Sequence, residues 1–176
     1  EGSVLFLPIQ VEGAKFFVGD PHYAQGDGEV SLTALEAPLR ATLTLSVIPQ
    51  QQADALFGER KGPFGYAHGR LLALGLHEDL DEALRRSVDY SVSLLSSLFH
   101  LPAKVIYLYL SAAADFDVSQ AVDLVRGVHS RILLSHFEGS AAQDFVNFCY
   151  RNDEMTKFNR FFPSLQETTR EERKEK

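Results

Sequence analysis

Glu78-Asp79-Leu80-Asp81-Glu82-Ala83-Leu84-Arg85-Arg86-Ser87-Val88-Asp89-Tyr90-Ser91-Val92-Ser93-Leu94-Leu95-Ser96-Ser97-Leu98-Phe99 is the stretch on which the fold class turns. Its apolar positions Leu80, Leu84, Val88, Leu94, Leu95 and Leu98 recur at close to 3.6 residues, the period of an amphipathic helix. Glu78, Asp79, Asp81 and Glu82 crowd the first turn, where the helix dipole favours negative charge. Pro102 stops this helix and suits the first position of a second one, running to about Ala113. On either side of the helix pair the pattern is β. Residues 3–11, 15–19, 29–35 and 40–48 read as strands upstream, and 116–122 and 124–132 as short strands downstream. In the first, Val4, Phe6 and Pro8 alternate with Leu5, Leu7 and Ile9; in the fourth, Thr42, Thr44 and Ser46 oppose Ala41, Leu43, Leu45 and Val47. Strands, then helices, then strands predict an α+β fold rather than regular βαβ winding. The expectation is a set of N-terminal strands of a β-sandwich-like sheet, followed by a helix pair and further strands.

Three segments follow from this reading: a β-rich segment over 1–48, an α+β segment over 49–139, and a C-terminal helix and charged tail over 140–176. Residues 49–65 carry Gly, Pro, Gln and charges and read as a surface connection with at most a short helical turn. Ser140 is placed to cap the last helix, with Phe145, Phe148 and Cys149 on one face. From Gln166 the run of charges predicts a solvated tail.

Composition narrows the function. The chain has 176 residues, 45% of them hydrophobic, which suits one domain or a domain with a sub-domain and excludes a disordered protein. No apolar stretch reaches the roughly 18 residues of a membrane helix. Seventeen basic against 24 acidic side chains give a formal charge of −7, so neither nucleic acid nor an anionic membrane surface is an expected partner. The single Cys149 excludes an internal disulfide framework and a Cys-based zinc cage, and a reducing, cytoplasmic compartment is the default. The chain opens at Glu1 without the pattern of a signal peptide. Its apolar opening strand needs partners, so the chain is expected to be the downstream piece of something longer. Residues 3–11 are then expected to pair with strands of another polypeptide.

Chemistry concentrates in Gly19-Asp20-Pro21-His22-Tyr23-Ala24-Gln25-Gly26-Asp27-Gly28-Glu29. Three carboxylates and an imidazole in so short a loop are costly to hold together without a positive partner, and a divalent cation is the simplest one. Gly26 and Gly28 can adopt φ > 0 and fold the loop back on itself. Asp20 and His22 lie two residues apart, on one side of an extended backbone. The alternative is an exposed turn whose Asp, Gln and Gly serve turn geometry. The loop is neither a phosphate-binding P-loop nor an EF-hand loop.

The string 19–30, continuing Ser31-Leu32-Thr33-Ala34-Leu35-Glu36, closely resembles the signature of the acetamidase/formamidase family. Leu7-Pro8-Ile9 through Gly13-Ala14, then Asp79-Leu80-Asp81-Glu82-Ala83, Ser119-Gln120-Ala121-Val122-Asp123 and Gly127-Val128-His129 are similar to other parts of that family. The resemblance runs from about residue 2 to 132. It implies hydrolysis of short linear amides, of the formamide or acetamide type, to a carboxylate and ammonia. It also implies a homo-oligomer, and a chain supplying an upstream half that is absent here and helps to build the site. Some members carry Cys where this chain has Ser31, and the serine argues against a thiol mechanism.

An amide is a poor electrophile with a poor leaving group, so its hydrolysis needs a polarised carbonyl, an activated nucleophile and a proton donor. A metal-activated water answers the first two needs near neutral pH. With the resemblance included, the expected metal ligands are Asp20, His22 and Asp27, and the ion is zinc, with calcium as the second choice. Glu29 is the expected base, Glu36 a second acid or a further ligand, and Gln25 a hydrogen-bond partner of the substrate amide. A Ser31 nucleophile is the rival chemistry, although no nucleophile elbow surrounds it. Among the other histidines His129 is the strongest candidate for the site, and Cys149 reads as inert core. The competing function is a non-catalytic subunit or remnant of the same fold that serves as an oligomer interface.

Overall fold

The computed structural model describes residues 2–58 and 62–150. The charged tail expected from Gln166 lies outside the described residues. Among the described residues, seven strands, four α-helices and one 3₁₀ turn follow in the order β1 (Val4–Phe6), β2 (His22–Ala24), β3 (Leu35–Glu36), α1 (Gln50–Phe57), β4 (Phe64–Ala67), β5 (Arg70–His77), α2 (Leu80–Phe99), α3 (Ala103–Ala113), β6 (Asp115–Gln120), β7 (Arg126–Leu133), the 3₁₀ turn Leu134–His136, and α4 (Ser140–Tyr150). Five strands form one sheet in the order β1-β4-β5-β7-β6, every neighbouring pair antiparallel. β2 and β3 form a separate antiparallel pair. An antiparallel sheet with helices packed against it is the α+β class that the sequence predicts.

α2 is built as its first turn foretells. The Asp79 carboxylate accepts the Glu82 N–H at 2.9 Å, satisfying one of the donors that a helix start leaves open. The helix stops at His100, which takes a left-handed conformation with φ 53°. Pro102 is not the first residue of α3 but its N-cap, with ψ 137°, because the helix proper opens at Ala103.

The buried stripe of α2 differs from the apolar one read in the sequence. Leu94, Leu95 and Leu98 are buried, but Leu80 and Leu84 are exposed, and the stripe is continued by Ala83, Ser87 and Ser91. The reason is proximity to the sheet. Gly75 of β5 lies so close to α2 that a Cβ there would collide with the Ala83 carbonyl oxygen and the Ser87 amide. Only small side chains fit at that approach, and their hydroxyls find partners. Ser87 Oγ donates to the Ala73 carbonyl at 2.8 Å, Ser91 Oγ donates to the Ser87 carbonyl at 2.7 Å, and Ser130 Oγ accepts the Ala73 N–H at 3.0 Å.

The core lies between the sheet and the helices. Leu71, Leu94, Leu95, Ile106, Ile132 and Phe145 are almost fully buried there, and Phe6 stacks on Phe64 with centroids 4.4 Å apart. Residues 49–65 are not a surface connection. They supply α1, whose Leu56 and Phe57 enter the core, and the start of β4. The hairpin β4–β5 reverses at His68 and Gly69, both at positive φ, as two-residue hairpins prefer. On α4, Phe145 is buried and Phe148 and Cys149 pack against the core, as that helix face predicts.

The upstream strands are mostly not realised. Of residues 3–11 only Val4–Phe6 forms a strand, and it pairs on one side with β4 of the same chain. Residues 15–19 and 40–48 form no ladder, and 29–35 contributes only the start of β3. Alternation shows that a segment suits a half-buried pleat, but a ladder also needs a neighbouring edge. Phe17, Val30, Leu45 and Val47 are instead exposed.

Candidate functional site

β6 and β7 have two different faces. Val128, Ser130 and Ile132 of β7 point to the buried side, so by alternation His129 and Arg131 point the other way. Register places Asp117 opposite His129 and Asp115 opposite Arg131. This polar face receives the loop that follows β2. The loop is fastened by two backbone hydrogen bonds, Gly28 N–H to Ser119 O at 3.1 Å and Ala121 N–H to Gly28 O at 2.9 Å, which make a parallel bridge between Gly28 and Gln120.

Folding the loop back needs left-handed backbone. Gly28 takes φ 91°, whereas Gly26 does not join it; Asp20 (φ 54°), Glu29 (φ 41°) and Leu32 (φ 69°) take positive φ instead. Three non-glycine residues in that region within one short segment mark stored strain, which concentrates where function fixes the backbone.

The fold-back brings His22 and Glu29 together. His22 Nδ1 lies 2.9 Å from the Asp20 carbonyl oxygen, and Nε2 lies 3.0 Å from Glu29 Oε1 and 3.8 Å from Glu36 Oε1. Register does the rest, because β2 pairs with β3 so that His22 stands opposite Glu36. The His22 and Glu29 side chains are 14% and 7% exposed, against 83% for Asp20 and 54% for Glu36, so the inner pair is shielded and the outer acids meet solvent. The Asp20 carbonyl, with the Asp20 and Glu29 carboxylates, holds the His22 imidazole pKa above its ordinary value, although desolvation acts against it. Glu29 is held from its other oxygen too, since Gln120 Nε2 donates to Oε2 at 2.9 Å. Thr33 Oγ1 donates to Glu36 Oε1 at 3.0 Å.

Asp27 is carried elsewhere. Its carboxylate falls with Asp117 and His129, one ligand atom of each lying within 4.8 Å of the others, while Asp20, His22 and Glu36 form a second such group. His129 Nδ1 lies 2.7 Å from Ser119 Oγ, and Arg131 pairs with Asp117. Gln25, Asp27, Glu29, Ser31 and Thr33 line an open depression of about 650 Å³. Ser31 Oγ donates to the Thr33 carbonyl at 2.9 Å, an arrangement without the base that a serine nucleophile requires. Burial raises the Cys149 thiol to about 12, which leaves it inert.

Sequence reasoning therefore located the loop but missed Gln120, Asp117, Ser119 and Asp123 as its neighbours. The alternation Asp115, Asp117, Ser119 on a strand was the available signal. What it lacked was the pairing of that strand with the loop, since Glu29 and Gln120 are 91 residues apart in the chain.

Residues 1–134 match the sequence model of the acetamidase/formamidase family. A Schizosaccharomyces pombe protein that carries the name of a formamidase is 41% identical over 54 residues, which are 30% of this chain and 13% of that protein. The crystal structure of an acetamidase from Bacillus halodurans superimposes with a TM-score of 0.60 at 23% identity, over 77% of this chain and 44% of that one. The chain thus spans less than half the length of either relative, and the structural likeness shows the fold.

Proposed function

The chain belongs to the acetamidase/formamidase family, and from that premise we propose that it hydrolyses short linear amides of the formamide or acetamide type, releasing ammonia. The observation that supports this reading is the shielded His22–Glu29 pair, with both Glu29 oxygens engaged, beside an open depression.

Glu29 acts as the base. A carboxylate accepts the proton of the attacking water and returns it to the amide nitrogen, so that the C–N bond breaks to a carboxylate and ammonia. His22 Nε2 faces Glu29 Oε1, and Gln25, which lines the depression, binds the substrate amide. Glu36 is the second acid of the site.

The donor set fits a divalent ion. One imidazole nitrogen and two carboxylates, from Asp20, His22 and Glu36, converge within 4.8 Å, and the N/O donors suit zinc. The ligand set proposed here keeps Asp20 and His22 and exchanges Asp27 for Glu36, because the fold carries Asp27 to the β6–β7 face. When bound, the ion would polarise the amide carbonyl and lower the pKa of a nearby water. Both imidazole nitrogens face oxygens, Nδ1 the Asp20 carbonyl and Nε2 Glu29 Oε1, so an ion held on Nε2 would take the place of the Glu29 contact. The partner is a small amide, and the assembly is an oligomer or a pairing with a chain that completes the site. The single free thiol suits a reducing cytoplasm.

Ammonia release from formamide and acetamide tests the proposal. Glu29→Gln should retain the fold by circular dichroism and lower turnover by about 10²-fold or more. Exhaustive chelation should abolish activity, and zinc should restore it. Near-normal turnover in Glu29→Gln would move the base elsewhere. A folded oligomer that turns over neither amide would favour the non-catalytic interface.

A further inference from the structure

The ladder of β6 with β7 carries a register shift between Val118, which pairs with Val128, and Gln120, which pairs with Gly127. A bulge re-aims the side chain that follows it, and bulges recur next to active sites. Here the re-aimed side chain is Gln120. Its Nε2 donates to Glu29 Oε2 at 2.9 Å and to Asp123 Oδ2 at 2.6 Å, which uses both amide hydrogens.

The flanking backbone fixes the position of that amide. The bonds from Gly28 N–H to Ser119 O and from Ala121 N–H to Gly28 O sit on either side of Gln120, so strand and loop are tied at the same residue whose side chain meets Glu29. Asp123 and Leu124 both take positive φ, at 64° and 63°, and this turn brings Asp123 back to Gln120. Chemistry decides which end of the amide faces the acids. With carboxylates on two sides, the oxygen end would meet acceptors only, so the NH₂ end must be presented.

We propose that Gln120 is a positioning residue for Glu29, and that Asp123 holds the Gln120 amide in its donating orientation; this rests on the amidohydrolase reading above. A carboxylate free to rotate about its last torsion presents either oxygen to a substrate. With Oε2 held by Gln120, Glu29 presents Oε1 in one fixed geometry. Gln120 does not line the depression that would hold the amide, so it acts on the alignment of the base and not on substrate binding.

The test uses the full chain, with formamide and acetamide as probes and ammonia release as the rate. Gln120→Leu should lower kcat by ~10–100-fold while KM stays within about twofold and the thermal midpoint stays close to that of the parent. Asp123→Ala should give a smaller loss of kcat with the same unchanged KM. A folded Gln120→Leu with parental kcat, or with a raised KM and unchanged kcat, would overturn the positioning role. If Gln120→Leu fails to fold, Asp123→Ala decides alone, and parental kcat there overturns it equally. A parent that releases ammonia from neither amide even in its complete assembly, with any chain that completes the site present, removes the amidohydrolase reading and this inference together. That result is distinguishable from an active parent with an indifferent Gln120.

Discussion

At the scale of single residues, the chain uses the same device twice for different ends: a carboxylate gripped from more than one direction. In Glu29, the proposed base, the grip comes from His22 and Gln120. In Glu82 it comes from Arg85 and Arg86, whose guanidinium groups donate at 2.7–2.9 Å and hold the carboxyl at about 2, well below its ordinary 4.5. A carboxyl lowered by folding adds stability above its unfolded pKa, and that stability is lost as pH falls toward the folded value. Glu82→Gln should therefore destabilise the protein near neutral pH, and the gap from the parent should close between about pH 4.5 and 2. Urea midpoints of both proteins across that range provide the measurement, and a pH-independent gap would contradict the account. The loop was legible in the sequence through its resemblance to a family signature, since its composition alone also suits an exposed turn. Gln120 was not legible as a site residue, since an amide at a strand end carries no sign of what it faces.

At the scale of elements, the contact of α2 with β5 shows how small residues set a distance. Ala83, Ser87 and Ser91 replace the large apolar side chains of a common helix stripe because Gly75 lets the backbones approach. Gly75→Ala should cost about 1–3 kcal/mol, as overpacking does, unless α2 is displaced from the sheet. Chemical denaturation measures that cost, and an unchanged midpoint would mean that the contact is looser than described. α2, α3 and α4 were readable from local pattern, whereas α1 was expected as no more than a short turn. The hairpin β4–β5 was not, because Leu71-Leu72-Ala73-Leu74 is a continuous apolar run that suits a buried strand or a buried helix equally.

At the scale of the whole molecule, the sheet covers its helix side well and its upstream region poorly. Leu5, Leu7 and Ile9 beside the edge strand, with Leu43, Leu45 and Val47 further on, are more than half exposed. Exposed apolar side chains in such numbers, next to an open strand edge, favour association. Light scattering should accordingly give a particle mass above the 19.6 kDa of one chain. Leu45→Lys with Val47→Lys should reduce that mass. A monodisperse monomer would exclude self-association through this surface.

What the sequence determined by itself was local: a helix pair from a 3.6-residue period and an acidic first turn, the α+β class from the order of elements, and an acidic, glycine-rich loop that resembles a family signature. These are properties of neighbours in the chain, and composition and spacing carry them. The tertiary structure alone decided which strands found an edge, which face of α2 was buried, and how Gly28 came to bridge Gln120. It also separated Asp27 from Asp20 and His22, although all three lie in one short loop. The physical reason is that hydrogen-bond ladders and carboxylate pairs are satisfied by whatever the fold brings within about 3 Å, and sequence distance does not enter that condition.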